Sequence, residues 1–193
     1  MSRRPYAARL PIEERREQLL DAALRIIARN GYRACSIEAI AREAGVTRPV
    51  VYGAFDDLGA LLRALLDRSQ VRALAQLAAI VPGALPSTRE DVASLAARGL
   101  AMVRADPDLW RPILIHDGAP AALRERVDGD RDAVRAQLAE VLAAHSPGLD
   151  AEVAAHAVIA VAEHFGRLAL TEPERFEDAR LAAAITALLP QKS

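Results

Sequence analysis

One cysteine, Cys35, occurs in 193 residues, so no intrachain disulfide can form. A lone thiol suits a reducing compartment, and a chain of this length buries enough core to fold without covalent staples. No run of 18 uncharged apolar residues is present, and the N-terminus, MSRRPYAARLPIEERRE, carries charges where a secretory signal needs an apolar stretch. A cytoplasmic protein is therefore expected. Strand alternation is nearly absent. There is also no phosphate-cradling glycine loop, no nucleophile elbow, no His-Glu-x-x-His pattern and no Cys cluster. These absences argue against an enzyme, and neither a cofactor nor a metal is expected.

The net charge of −1 conceals an asymmetry. Residues 1–68 hold 12 Arg against 9 acidic residues, a balance of +3, whereas the rest holds 13 cations against 17 acids, a balance of −4. A modestly basic head on an acidic body fits a nucleic-acid reader joined to a region with another task.

Helical periodicity recurs throughout and predicts an all-α fold. Leu20, Ala23, Leu24 and Ile27 follow the i, i+3, i+4, i+7 template in a helix over about 12–29, which Asn30-Gly31 ends. The next stretch, SIEAIAREAGVTRPVVYGAF over 36–55, reads as a helix-turn-helix. Ile37, Ile40, Ala41 and Ala44 give its first helix one apolar stripe. Gly45 supplies the positive φ that turns the chain, Thr47 reads as an N-cap, and Pro49 falls in the first turn, where its missing N–H costs little. In this motif the first helix crosses the phosphate backbone while the start of the second meets base edges in the major groove.

A long helix over about 57–80 carries Leu61, Leu62, Leu65, Leu66 and Leu74 and is expected to link the two parts. Later breaks at Pro82-Gly83, Pro86-Ser87, Asp106-Pro107, Asp117-Gly118, Ser146-Pro147-Gly148 and Glu172-Pro173 separate helices over about 88–104, 107–115, 120–145, 150–170 and 174–189. Asp128-Gly129 is expected to interrupt or kink the third of these. Val158, Val161, Ala162 and Phe165, and then Leu181, Ala184, Ile185 and Leu188, give the last two helices broad apolar faces.

Ala22-Ala23, Asn30-Gly31-Tyr32, Ser36-Ile37, Ile40-Ala41, Ala44-Gly45-Val46-Thr47, Tyr52 and Phe55, followed by a leucine-rich helix, resemble the TetR-like family of bacterial transcriptional regulators in order and spacing. Beyond the head, the resemblance rests on helical layout and on the ending EPERFEDARLAAAITALL. It implies a three-helix DNA-binding head over 1–56 and a helical effector-binding and dimerisation domain over 57–193. The expected partners are double-stranded operator DNA, a small-molecule effector, and a second copy docked through Val158, Val161, Phe165, Leu181, Ile185 and Leu188. The resemblance also places Ser36 and Tyr52 at phosphates, and Thr47 and Arg48 at the opening of the recognition helix.

Arg48 is the best candidate for base readout, since a guanidinium can bond bidentately to guanine O6 and N7. Pro49 or Val50 could meet a thymine methyl. The family's usual His and Lys near phosphates are replaced here by Ala54 and Leu58, with Asp56 and Asp57 adding negative charge, so binding would lean more on Arg3, Arg4, Arg9 and Arg42, or on a second dimer.

Met102, Trp110, Leu114 and His116 are candidate effector-binding residues in the central helices. Trp110, Phe165 and Phe176 are the only aromatics beyond residue 68, which favours an aliphatic or small polar effector over a flat aromatic one. Pro112 and Asp117-Gly118 are candidate flexing points. Cys35 near a helix start raises the question of a redox sensor, although no resolving cysteine exists. His145, His156 and His164 lack a metal-binding pattern. The reading is a ligand-responsive regulator, expected to be a repressor released from a pseudo-palindromic operator. Its rivals are a helical ligand- or partner-binding dimer with weakened DNA affinity, and a small all-α hydrolase or lyase using His116, Asp117 and His164.

Overall fold

A computed structural model describes residues 10–80, 86 and 88–187. Among these residues the chain forms nine α-helices, one short 3-10 turn at Tyr32–Ala34, and no strand. The helices are α1 (Ile12–Asn30), α2 (Ile37–Glu43), α3 (Arg48–Tyr52), α4 (Leu58–Ile80), α5 (Arg89–Ala105), α6 (Pro107–Leu114), α7 (Ala121–His145), α8 (Ala151–Thr171) and α9 (Asp178–Ala187). Arg3, Arg4, Arg9, Leu188 and the Pro82-Gly83 break lie outside the described residues.

α1 is the strut of the head. Glu13 and Glu14 sit in its first turn, where the helix dipole favours acids, and the expected stripe of Leu20, Ala23, Leu24 and Ile27 is buried. Against it pack Ile37, Ile40 and Ala41 of α2, Val51 of α3, and Leu61, Leu62, Leu65 and Leu66 of α4. Leu19, Ile40, Val51 and Leu61 are fully buried, each contributing about 1.5–3 kcal/mol. This core extends past residue 56 into the first half of α4, and it takes in Ala119, Leu123 and Val127 from the start of α7 and the link before it.

The second half of α4 behaves differently. Leu74, which sequence periodicity groups with the buried leucines, is 48% exposed. Ala73 turns inward instead and meets Leu109, Trp110, Leu114 and Leu170 in a second cluster. A third, smaller cluster joins Leu100, Ala169 and Leu181, with Phe165, Leu168 and Phe176 packed against it.

Two expectations about the body need correction. α7 runs unbroken through Asp128-Gly129, since one glycine costs a packed helix only about 1 kcal/mol; Arg126–Asp130 and Arg131–Asp128 pairs, each at 3.1 Å, span the turns around it. The last helix begins at Asp178 rather than near 174. Residues 172–177 form a turn in which the Arg175 and Phe176 N–H groups donate to the Glu172 carbonyl, at 3.1 and 3.0 Å, while Arg104 holds the Phe176 carbonyl and pairs with Asp178.

The link between α6 and α7 ties body to head. The Tyr32 hydroxyl donates to the Pro112 carbonyl at 3.4 Å, and Pro112 is buried inside α6. Gly118 takes φ +81°, and a Cβ there would lie 2.8 Å from Arg33 Cγ, so only glycine fits without displacing that side chain. Between α4 and α1, Arg68 reaches Glu17 at 2.7 Å and Asp21 at 2.8 Å.

Candidate nucleic-acid interface

The α2–α3 turn is built as its residues require. Ser36 caps α2, its Oγ accepting the Ala39 N–H at 3.2 Å. Gly45 adopts φ +68°, and the Val46 N–H closes back on the Ala41 carbonyl at 2.9 Å. Thr47 occupies the N-cap position of α3 with extended backbone, as expected, but its side chain accepts no capping bond. Thr47 is exposed, and no capping bond occupies its side chain.

α3 is only five residues long and is held by what it buries. Val51 is 0% exposed in the head core, which leaves Thr47, Arg48, Pro49, Val50 and Tyr52 together on the solvent face. Every residue that the sequence nominated for DNA contact in α3 and at its cap is thus brought to one surface. Ser36 is half-buried at the start of α2.

Several residues that frame this surface were missed. Arg16 of α1 donates to the Ala54 carbonyl and lays its guanidinium 4.1 Å from the centroid of the Phe55 ring, clamping the exit of α3. Gln18 donates to the Ala44 carbonyl at 2.9 Å and pins the turn itself. Glu43, at the end of α2, accepts from Arg25 and Arg29, each at 2.8 Å; these bonds hold its carboxyl below its usual pKa. Their spacings of 14 to 38 residues follow no local period, so only the fold discloses them.

Glu38 was missed as well. Its Oε1 lies 3.0 Å from Arg48 Nη1. A hydrogen bond to Tyr52 and the charge of Glu38 raise the Arg48 pKa, so this guanidinium keeps its charge at any working pH.

The two departures from the family pattern have a packing reason. Ala54 is 9% exposed within the head core, and Leu58 packs against the same core. Both positions are used for burial here. Asp57 caps α4, its Oδ1 accepting the Ala60 N–H at 2.6 Å, whereas Asp56 is simply exposed.

The thiol of Cys35 is buried, and burial pushes its pKa up to about 12. Burial and a raised pKa make it a protonated core group, which disfavours the redox-sensor reading. Among the described residues no three His, Cys, Asp or Glu converge as metal ligands.

In the body, Trp110 and Leu114 are each 6% exposed in the second cluster, with Met102 packed against it. Trp110 Nε1 donates to Gln76 Oε1 at 2.7 Å, and Gln76 in turn donates to Asp106 at 2.9 Å. His116 is half-buried beyond the end of α6, its Nδ1 buried without a hydrogen-bond partner among the described residues. Burial and then the charge of Arg131 lower its pKa.

The expected pairing faces divide. Val158 is 51% exposed and Val161 and Ile185 half-exposed, but Leu181 is 3% exposed and joins Phe165 in the protomer's own third cluster. α8 has a mean hydropathy of 1.3 over an 18-residue window of which only 22% is buried, making it long and apolar enough by composition to cross a membrane. Glu163 on the same helix is ion-paired to Arg131 of α7, which anchors it in the bundle instead.

Residues 19–65 match a family model described as bacterial regulatory proteins, tetR family. The chain is 45% identical over 60 residues to the HTH-type transcriptional activator FasR of Mycolicibacterium smegmatis, covering 31% of this chain and 27% of that protein. It is 33% identical over 90 residues to the nicotine-responsive transcriptional repressor HdnoR of Paenarthrobacter nicotinovorans, covering 47% and 44%. These matches thus span less than half the length of either relative. A crystal structure of a TetR-like transcriptional regulator from Rhodococcus sp. RHA1 superposes with a TM-score of 0.74 at 24% identity, covering 93% of this chain and 96% of that one. The resemblance read from the sequence is borne out. The head matches the TetR-family model, and the chain shares the fold of that TetR-like regulator over the superposed 93%.

Proposed function

We propose that this protein is a ligand-responsive transcriptional regulator, a repressor that binds a pseudo-palindromic operator as a symmetric dimer. One observation carries the reading: Thr47, Arg48, Pro49, Val50 and Tyr52 share an exposed face at the turn of a TetR-type head whose Val51 is wholly buried. Arg48 reads guanine, Pro49 or Val50 meets a thymine methyl, and Ser36 and Tyr52 bond phosphates.

Residues 1–56 form the reader and 57–193 the effector and dimer domain, with α4 running between them. The uncovered apolar surface of α8 supports pairing through Val158 and Val161, with half-exposed Ile185 of α9 joining them. An aliphatic or small polar effector near Met102, Trp110, Leu114 and His116 would displace α6. The Tyr32–Pro112 bond and the Gly118–Arg33 contact would pass that displacement to the head. Two recognition helices then no longer match grooves about 34 Å apart. The protein works in the cytoplasm.

Fluorescence anisotropy with a duplex from the region upstream of its own gene tests the reading, against a scrambled duplex at two salt concentrations. Salt-sensitive binding at least about a hundredfold tighter than to the scramble is expected, and equal binding to both would contradict it.

A further inference from the structure

Glu38 and Arg48 lie on the surface assigned to DNA with side chains 53% and 56% exposed, joined Oε1 to Nη1 at 3.0 Å. An ion pair this open to solvent contributes little to folding. A carboxylate facing phosphates also weakens binding to any duplex. Neither stability nor general affinity therefore accounts for an acid at this position, whereas its partner does.

A free arginine samples many rotamers and can settle on whichever phosphate is near. Guanine recognition instead needs two N–H donors held parallel toward O6 and N7. With Nη1 engaged by Glu38, Arg48 keeps donors for one base and has less charge to offer the backbone.

Resting on the reading of Arg48 above, we propose that Glu38 is a specificity-determining residue, a positioning group that holds the Arg48 guanidinium for guanine at the expense of indiscriminate phosphate binding.

The test selects bound sequences from a pool of duplexes randomised over a full operator length, using the full chain and its E38Q, E38A and R48A variants. Circular dichroism confirms that each is folded. The native protein is expected to enrich one guanine in each half-site, and R48A to lose it. E38Q and E38A are expected to reduce the preference at that same position by about fivefold or more. Their binding to a non-selected duplex is expected to strengthen, with the salt dependence steeper by about one unit of log-log slope, as a released Arg48 takes up a phosphate.

Unchanged guanine preference in both Glu38 variants overturns the inference while leaving the DNA-reading function intact. Loss of preference at a different base does the same, because Glu38 would then read that base itself. If the native protein enriches no sequence, the function proposed above fails and the inference fails with it.

Discussion

In the head, Leu19, Ile40, Val51 and Leu61 are fully buried around α1, whereas Val153 and Val158 of α8 in the body keep 63% and 51% of their surface exposed. The head completes its core within one protomer and can therefore hold a short, otherwise weak α3 in a fixed place. The body splits its interior into two small clusters and leaves an apolar helix face uncovered. A rigid head and a body with an uncovered apolar face fit the proposed function, in which the body would set half-site spacing and the head base contacts.

Core truncation gives the largest contrast between the two. Ile40→Ala should cost about 2–5 kcal/mol of stability, read by chemical denaturation, and abolish DNA binding as the head loosens. Val158→Ala, at an exposed body site, should stay within about 0.5 kcal/mol when the protein is dilute enough to be monomeric. Equal losses at both sites would erase the distinction.

Next is the joint between the two regions. Gly118→Ala forces a Cβ into a left-handed backbone and against Arg33, and about 1–2 kcal/mol should be lost from the backbone conformation alone. A thermal melt measures it, and an unchanged Tm would mean that this contact does not hold body to head.

Arg16→Ala should have a smaller effect on stability, about 1 kcal/mol, as the Phe55 ring and the Ala54 carbonyl lose their partner. Operator affinity in anisotropy should still fall, since the exit of α3 is no longer clamped. Affinity equal to that of the native protein would remove Arg16 from the reading apparatus.

The chain disclosed these regions unequally, for a physical reason. Head elements are specified locally: the Leu20 to Ile27 stripe and the Gly45 turn each follow from a helical period or a backbone requirement within a few residues. The devices that orient the reading surface, Arg16, Gln18, Glu38 and Glu43, act between helices, and no period in the sequence connects them. In the body, apolar periodicity identified α8 and α9 but not which face turns inward. Leu181 therefore looked like a pairing residue and is buried in its own protomer, and of the leucines along α4 only Leu74 is exposed by about half. A helix whose apolar surface is shared between two interfaces carries no periodic mark to separate them.

The smallest effects come from titration, and the two regions should respond at opposite ends of the pH scale. Burial, with a smaller contribution from Cys35, raises Tyr32 in the head to about 12. Its contribution to stability is fully present below pH of about 10 and is lost as pH rises through about 12. Tyr32→Phe should flatten that alkaline limb of a stability profile. His116, at the body's edge, is lowered by burial and by Arg131, so its contribution is present above about pH 6.5 and declines as pH falls below that. His116→Asn should flatten the acid limb only. A variant that changes the opposite limb would contradict the assignment of these groups to their regions.

The most direct measurement is the stoichiometry of the protein on a selected operator duplex by sedimentation velocity. Two protomers per duplex, with half-sites about 34 Å apart and a monomeric Val158→Glu variant that folds but binds the full site far more weakly, are expected. One protomer per duplex, bound as tightly by the monomeric variant as by the native protein, would contradict a rigid reader that depends on a paired carrier.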